Sequence, residues 1–346
     1  MNIQDSKIII CVGSGGVGKT TVAAAIGVMA AKLGKRVLVL TIDPSLRLAQ
    51  TLGIHSSEIS KVPGQNYSGE LFAGIIEHKK IFDDFVIKAA GGEEKAQRIF
   101  RNKLYQEMTQ GLSGSQEFSA LEKLLSCAQS GKYDLIVLDT PPTQHALDFL
   151  KAPGQLQALF NEKIAQWFRT AEGGGPGFFQ NLIGLGTRQI LHVLETLTGR
   201  EFIHQLSDFF LTIKDWQGYL FNRTVEMQRL LAKNTTSFCL VTSFDGAKLK
   251  EAEFFQKEII QGGYHLRHVV FNRAAPVWVS KDKPVGMSHF EEDLYSRLHA
   301  FYQRRDSQMN EFALKFGPEV ELIRIHDFMD SLSGLDEIEL VSKEMN

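Results

Sequence analysis

Short, nearly unbroken apolar runs alternate along the chain with longer stretches of helical period. The runs KIIICVG (7–13), RVLVLTI (36–42), ELFAGII (70–76), DLIVLDT (134–140), SFCLVTS (237–243), RHVVFNR (267–273) and ELIRIH (321–326) have the length of strands. Most lack the in–out alternation of a half-solvated sheet, so they predict parallel strands covered by helices on both faces. After Gly18, KTTVAAAIGVMAAKLG predicts an alanine-rich helix closed by Gly34. Its small side chains let it lie close against a sheet. The expected class is α/β, with a mostly parallel central sheet flanked by helices.

The rhythm breaks between about 151 and 234. Ile190, Leu191, Val193, Leu194 and Leu197 fall on one helical face, then Ile203, Leu206, Phe209, Phe210 and Ile213 on another. The stretch EGGGPGFFQNLIGLG (172–186) mixes glycine with large apolar residues. We expect a core made of 1–150 and 235–346, interrupted by an α-helical insertion at 151–234.

Composition mainly excludes. A net charge of -2 over 346 residues gives no global attraction to nucleic acid or anionic membrane. Cys11, Cys127 and Cys239 are far apart in sequence, with no CxxC or Cys/His ligand spacing. That argues for a reducing compartment and against structural zinc or a disulfide scaffold. The N-terminus MNIQDSK lacks signal-peptide layout, and no apolar run approaches the roughly 18 residues of a membrane span. The expectation is a cytoplasmic protein without a membrane span.

The chemistry concentrates in GSGGVGKTT (13–21), directly after the first strand. Gly13-x4-Gly18-Lys19-Thr20 is a phosphate-binding pattern. Gly13, Ser14, Gly15, Gly16, Val17 and Gly18 would present backbone N–H groups to phosphate oxygens, aided by the helix N-terminus. Lys19 would reach the β/γ-phosphates and Thr20 would ligate Mg²⁺. Asp43 and Asp139 end predicted parallel strands, where such a site needs acids. Asp139 suits the residue that holds the Mg²⁺ hydration shell, the bland alternative being a helix cap. Asp43 either orients the attacking water or caps the turn at Pro44. Asn272, in Asn272-Arg273-Ala274-Ala275, ends its strand without a nearby acid. Its amide offers one donor and one acceptor, matching adenine rather than guanine; otherwise it is a turn residue.

Together these residues resemble the arsenical pump-driving (ArsA) ATPase family, which includes factors that target tail-anchored membrane proteins. GSGGVGKTT is similar to its loop GKGGVGKTT, IDPSLRLAQTLG (42–53) to its switch I, and DTPPTQHALDFLKAP (139–153) to its long switch II signature. VVFNRA resembles the family's adenine-reading strand, and LFAGIIEHKKIFDDF its strand and helix after switch I. The resemblance covers nearly the whole chain and implies an Mg-dependent ATPase with ATP and ADP as substrate and product. It implies that Thr21 lies near the α-phosphate, that Asp43 positions water and Asp139 is the switch II acid, that Asn272 reads adenine, and that His145 is the switch II histidine, which either senses the γ-phosphate or packs. The 151–234 insertion sits where the family places its cargo subdomain. Phe178, Phe179, Leu182, Ile183 and Leu185 then either line a client surface or form core. A single family unit implies a homodimer or a heterodimer with a sister chain.

The departures are specific. The family's second loop residue is a lysine that reaches across the dimer; here it is Ser14, with Arg47 in switch I the nearest candidate substitute. Metalloid-binding cysteines and the zinc-binding CxxC have no counterparts, and DTPPTQH has no cysteine for an iron–sulfur cluster. Two other classes share such a loop, namely a small-molecule phosphotransferase and a partitioning or positioning ATPase. Against the latter, the C-terminal GLDEIELVSKEMN is acidic rather than a basic membrane helix.

Overall fold

A computed structural model describes residues 1–42, 47–54, 58–102, 105–106, 115–140, 216–328 and 334–345. All seven expected strands form, as β1 (Ile8–Val12), β2 (Arg36–Thr41), β4 (Glu70–Ile75), β5 (Leu135–Asp139), β6 (Thr236–Ser243), β7 (Leu266–Ala274) and β8 (Glu321–His326). A two-residue β3 (Ser60–Lys61) joins them. The sheet order is β3-β4-β2-β5-β1-β6-β7-β8. Every pairing is parallel except that of β3 with β4. The continuous apolar runs are explained by burial: β1 and β5 are buried at every position.

The helices are α1 (Lys19–Lys32), α2 (Arg47–Leu52), α3 (His78–Ala90), α4 (Glu93–Phe100), α5 (Ser115–Gln129), α6 (Gln217–Leu231), α7 (Gly246–Gln261), α8 (His289–Ala313) and α9 (Leu335–Glu344), with a 3₁₀ turn at Val277–Ser280. No described helix is long and apolar enough to cross a membrane. Of the expected 151–234 insertion, residues 151–215 lie outside the described residues, and the remainder carries α6.

The chain divides into two compact units. The first comprises Met1–Ile76, Leu124–Leu147 and Arg229–Asn346 and holds the whole sheet. Its α1 lies close on the strands, as alanine and glycine permit. A Cβ on Gly27 would sit 2.5 Å from Val39 Cγ2, so this approach needs glycine. Ile323 and Ile325 of β8 join the same core as α1 and α9, while Phe271 packs edge-on against Phe312 of α8.

The second unit comprises Glu77–Lys123 and Asp148–Gln228. Its described core is aromatic: Phe85 meets Phe118 edge-on at 5.0 Å, and Phe82 contacts Phe118 and Tyr105. Beside this cluster, Arg223 grips Glu122 through two nitrogens at 2.5 and 3.0 Å. Both side chains are mostly withdrawn from water, so the fork geometry matters to the packing here.

Candidate nucleotide site

The loop between β1 and α1 is held by strands on both sides. Gly13 has φ 149°, and a Cβ there would lie 2.1 Å from the Val241 carbonyl oxygen of β6. Gly18 has φ 89°, and a Cβ would lie 2.2 Å from Asn272 Nδ2 of β7. Both positions therefore combine a backbone region open to glycine with a neighbour that leaves no space. Asn272, nearly buried, donates from Nδ2 to the Val17 carbonyl at 2.8 Å, tying the loop to the end of β7.

Lys19 opens α1 and is 5% exposed. Its ammonium donates to the Gly13 and Ser14 carbonyls at 2.9 and 2.8 Å, which keeps the charge inside the loop. The next residue, Thr20, donates its hydroxyl to Asp139 Oδ2 at 2.8 Å. Thr41, at the end of β2, donates to that same oxygen at 3.0 Å. Asp139 is fully buried at the end of β5, and Thr140 donates to the Cys11 carbonyl at 2.7 Å. Where β2 ends, the Ile42 amide bonds the Asp139 carbonyl at 3.1 Å, so the two strand ends leave the sheet together. A buried carboxylate is tolerable only when such donors surround it.

This donor set fits a hard cation. Thr20 Oγ1 and Asp139 Oδ2 lie side by side, 2.8 Å apart, which places the hydroxyl to hold the cation and the carboxylate to face its hydration shell. Both atoms are oxygens, as Mg²⁺ requires. Among the described residues no three His, Cys, Asp or Glu side chains group as a separate metal centre.

Ser14 is buried, and its hydroxyl is the main influence holding the Glu251 carboxyl of α7 below its ordinary value, with Lys248 at 3.3 Å adding to it. The structure thus brings Lys19, Thr20, Asp139 and Asn272 around one loop. Asp43, His145 and the Arg47 side chain lie outside the described residues. Sequence reasoning missed Thr41 and Glu251. Thr41 had a faint signal, a hydroxyl ending an otherwise apolar run, whereas Glu251 had none. The scattered cysteines also resolve differently: Cys11 and Cys239 are register partners on β1 and β6, both buried. The hydrogen bond with Cys239, then burial, pushes the Cys11 thiol well above its ordinary value, so it is not a reactive thiolate.

A glycine loop between strand and helix, a buried lysine at the helix start and a strand-end acid define a P-loop nucleotide-binding protein. Residues 6–288 match the Anion-transporting ATPase family, and the chain belongs to it. It is 24% identical over 274 residues to "ATPase ASNA1 homolog 1" of Paramecium tetraurelia, covering 78% of this chain and 75% of that protein. It is 25% identical over 279 residues to "ATPase GET3" of Malassezia globosa, covering 79% and 75%. A "Putative arsenical pump-driving ATPase 1" of Aquifex aeolicus is 22% identical over 374 residues, covering 97% and 78%.

Proposed function

We propose that the chain binds Mg-ATP on the 13–18 loop, hydrolyses it, and uses the cycle to open and close a dimer that takes up and releases an apolar membrane-protein client. The observation carrying the chemical half is the pair of hydroxyls, Thr20 and Thr41, turned onto one oxygen of buried Asp139. When bound, the metal neutralises phosphate charge. Lys19 would hold the β/γ-phosphates in place of the Gly13 and Ser14 carbonyls, Thr20 would hold the metal, and Thr41 would keep Asp139 oriented beside it. Gly13, Gly15, Gly16, Val17 and Gly18 offer backbone donors, Thr21 serves the α-phosphate, and Asn272 braces the loop beside adenine. Asp43 positions the attacking water.

Ser14 bears no charge to lend a partner subunit. A homodimer is therefore slow unless Arg47, or a sister chain's lysine, supplies the cation. The client face belongs to the 151–234 segment, around Phe178 and Phe179, and is reshaped when the switches move.

Phosphate release from ATP, followed against Mg²⁺ concentration without any added acceptor, tests the reaction. Asp43→Asn should keep nucleotide binding and lose turnover by about 10²–10³-fold, the scale for one positioned catalytic group. Phosphate that moves only when a small-molecule acceptor is added would replace hydrolysis by phosphotransfer. Equal, negligible uptake of apolar peptides with ATP and with ADP would remove the client.

A further inference from the structure

One hydroxyl beside the phosphate loop belongs to no phosphate-binding pattern. Thr41 closes β2, where it is the register partner of Asp139 on β5. It is 1% exposed, and it donates to Asp139 Oδ2 at 3.0 Å. The sheet fixes its backbone from both sides. Toward β4, the Ile76 amide donates to the Thr41 carbonyl at 3.0 Å; toward β5, the next amide, Ile42, donates to the Asp139 carbonyl at 3.1 Å. Thr41 is therefore set by strand pairing, independently of the loop and of α1.

The two hydroxyls that meet on Oδ2 have different duties. Thr20 lies in the first turn of α1, half-buried, 2.8 Å from that oxygen. In the Mg-nucleotide reading above, on which this inference rests, its lone pairs hold the cation while its proton goes to Asp139. Thr41 has one duty, and the sheet places it with or without a ligand. A carboxylate turns easily about its last bond, so a donor fixed in the sheet sets how it stands. We propose that Thr41 is the positioning residue that makes metal and nucleotide bind as one unit. A valine there keeps the shape of the side chain and removes the donor, and a buried carboxylate short of a donor turns to find another. Binding couplings are reciprocal, so the loss falls on the affinity that Mg²⁺ adds to the nucleotide rather than on the nucleotide alone. Thr41 also stands two residues before Asp43 in the chain. One hydroxyl thus ties the strand leading to the water-positioning acid to the strand ending in the metal-side acid.

Binding of a fluorescent, non-hydrolysable ATP analogue to the full chain, with Mg²⁺ and with the metal chelated, tests it. The wild type should bind more tightly with Mg²⁺. Thr41→Val should lose about tenfold or more of that gain, the scale of one hydrogen bond to a charged group, and bind the metal-free analogue within about twofold of wild type. Thr41→Ser restores the hydroxyl without the methyl. It should recover most of the gain even where its urea midpoint falls below that of the wild type, and that split separates positioning from packing. A Thr41→Val chain with the wild-type gain, one weakened equally with and without Mg²⁺, or a Thr41→Ser chain no better than Thr41→Val would each overturn the inference and leave nucleotide binding standing. A wild type that gains nothing from Mg²⁺ would instead remove the metal reading of Asp139, and this inference with it.

Discussion

The middle of the sheet and its β8 edge handle polar groups in opposite ways. β1 and β5 are buried throughout, so any polar side chain at their ends must find protein partners. Thr20 and Thr41 both donate to Asp139 Oδ2 there, and Lys19 donates to the loop carbonyls. At the edge, β8 alternates: Ile323 and Ile325 are buried, whereas Leu322 and Arg324 face outward. Arg324 pairs with Asp306 in water, an arrangement worth up to about 1 kcal/mol. Polar groups in the centre are therefore costly to alter singly, and those at the edge are replaceable.

The sharpest way to break this comparison is at Asp139. Asp139→Asn should reduce ATP turnover by about 10³-fold, the scale of one preorganised electrostatic group; turnover within a few-fold of wild type would show that the buried carboxylate is only structural. Next come the loop glycines. Gly13→Ala drives a methyl into the Val241 carbonyl and should destabilise by about 3 kcal/mol or more, whereas Gly16→Ala meets nothing within 4 Å and should cost only the left-handed backbone penalty of about 1 kcal/mol. Denaturant midpoints of the two variants measure the difference, and equal losses would place the constraint in the backbone alone.

The smallest effect separates the centre from the edge by pH. His268 of β7 is buried, donating from Nε2 to the Asn2 carbonyl at 2.9 Å. Burial lowers its pKa, outweighing that bond and Glu321. A folded pKa below the unfolded value means the unfolded chain binds more protons below about pH 6.5, so stability is lost as pH falls from there toward the depressed value. The slope from one group cannot exceed about 1.4 kcal/mol per pH unit. Glu321 is also held below its ordinary value: burial alone would raise it, but the Asn2 amide and the N-terminal ammonium bring it down. Its stabilisation fails at still lower pH, near the ordinary carboxylate range. Urea midpoints between pH 7 and 5.5 should fall for wild type and stay flatter for His268→Gln.

The seven main strands were legible because burial on both faces leaves continuous apolar runs. β3 was not, since Ser60 and Lys61 are strand only through antiparallel pairing with Ala73 and Phe72. At the site, Lys19 and Asp139 were legible because phosphate chemistry demands their type at the helix start and the strand end. Thr41 looked like any β-branched strand residue; its hydroxyl has meaning only once β2 lies beside β5. Glu251 carried no signal because its partner, Ser14, lies in a different βα crossover. Cys11 and Cys239 became neighbours through the parallel pairing of β1 with β6, which local pattern does not specify.

The length of α8 has a mechanical consequence. Its 25 residues span about 37 Å at the usual rise, yet its buried anchors, Met309 and Phe312, lie near one end. From Met309 to Phe290 is about 28 Å of arm, so a tilt of about 5° at the anchor carries the tip roughly 2.5 Å. The arm is braced midway by Trp278, six residues beyond Asn272, which is itself bonded to the phosphate loop. An ångström-scale adjustment at the end of β7 thus has a short, stiff route to a displacement roughly twice as large at the far tip of the helix.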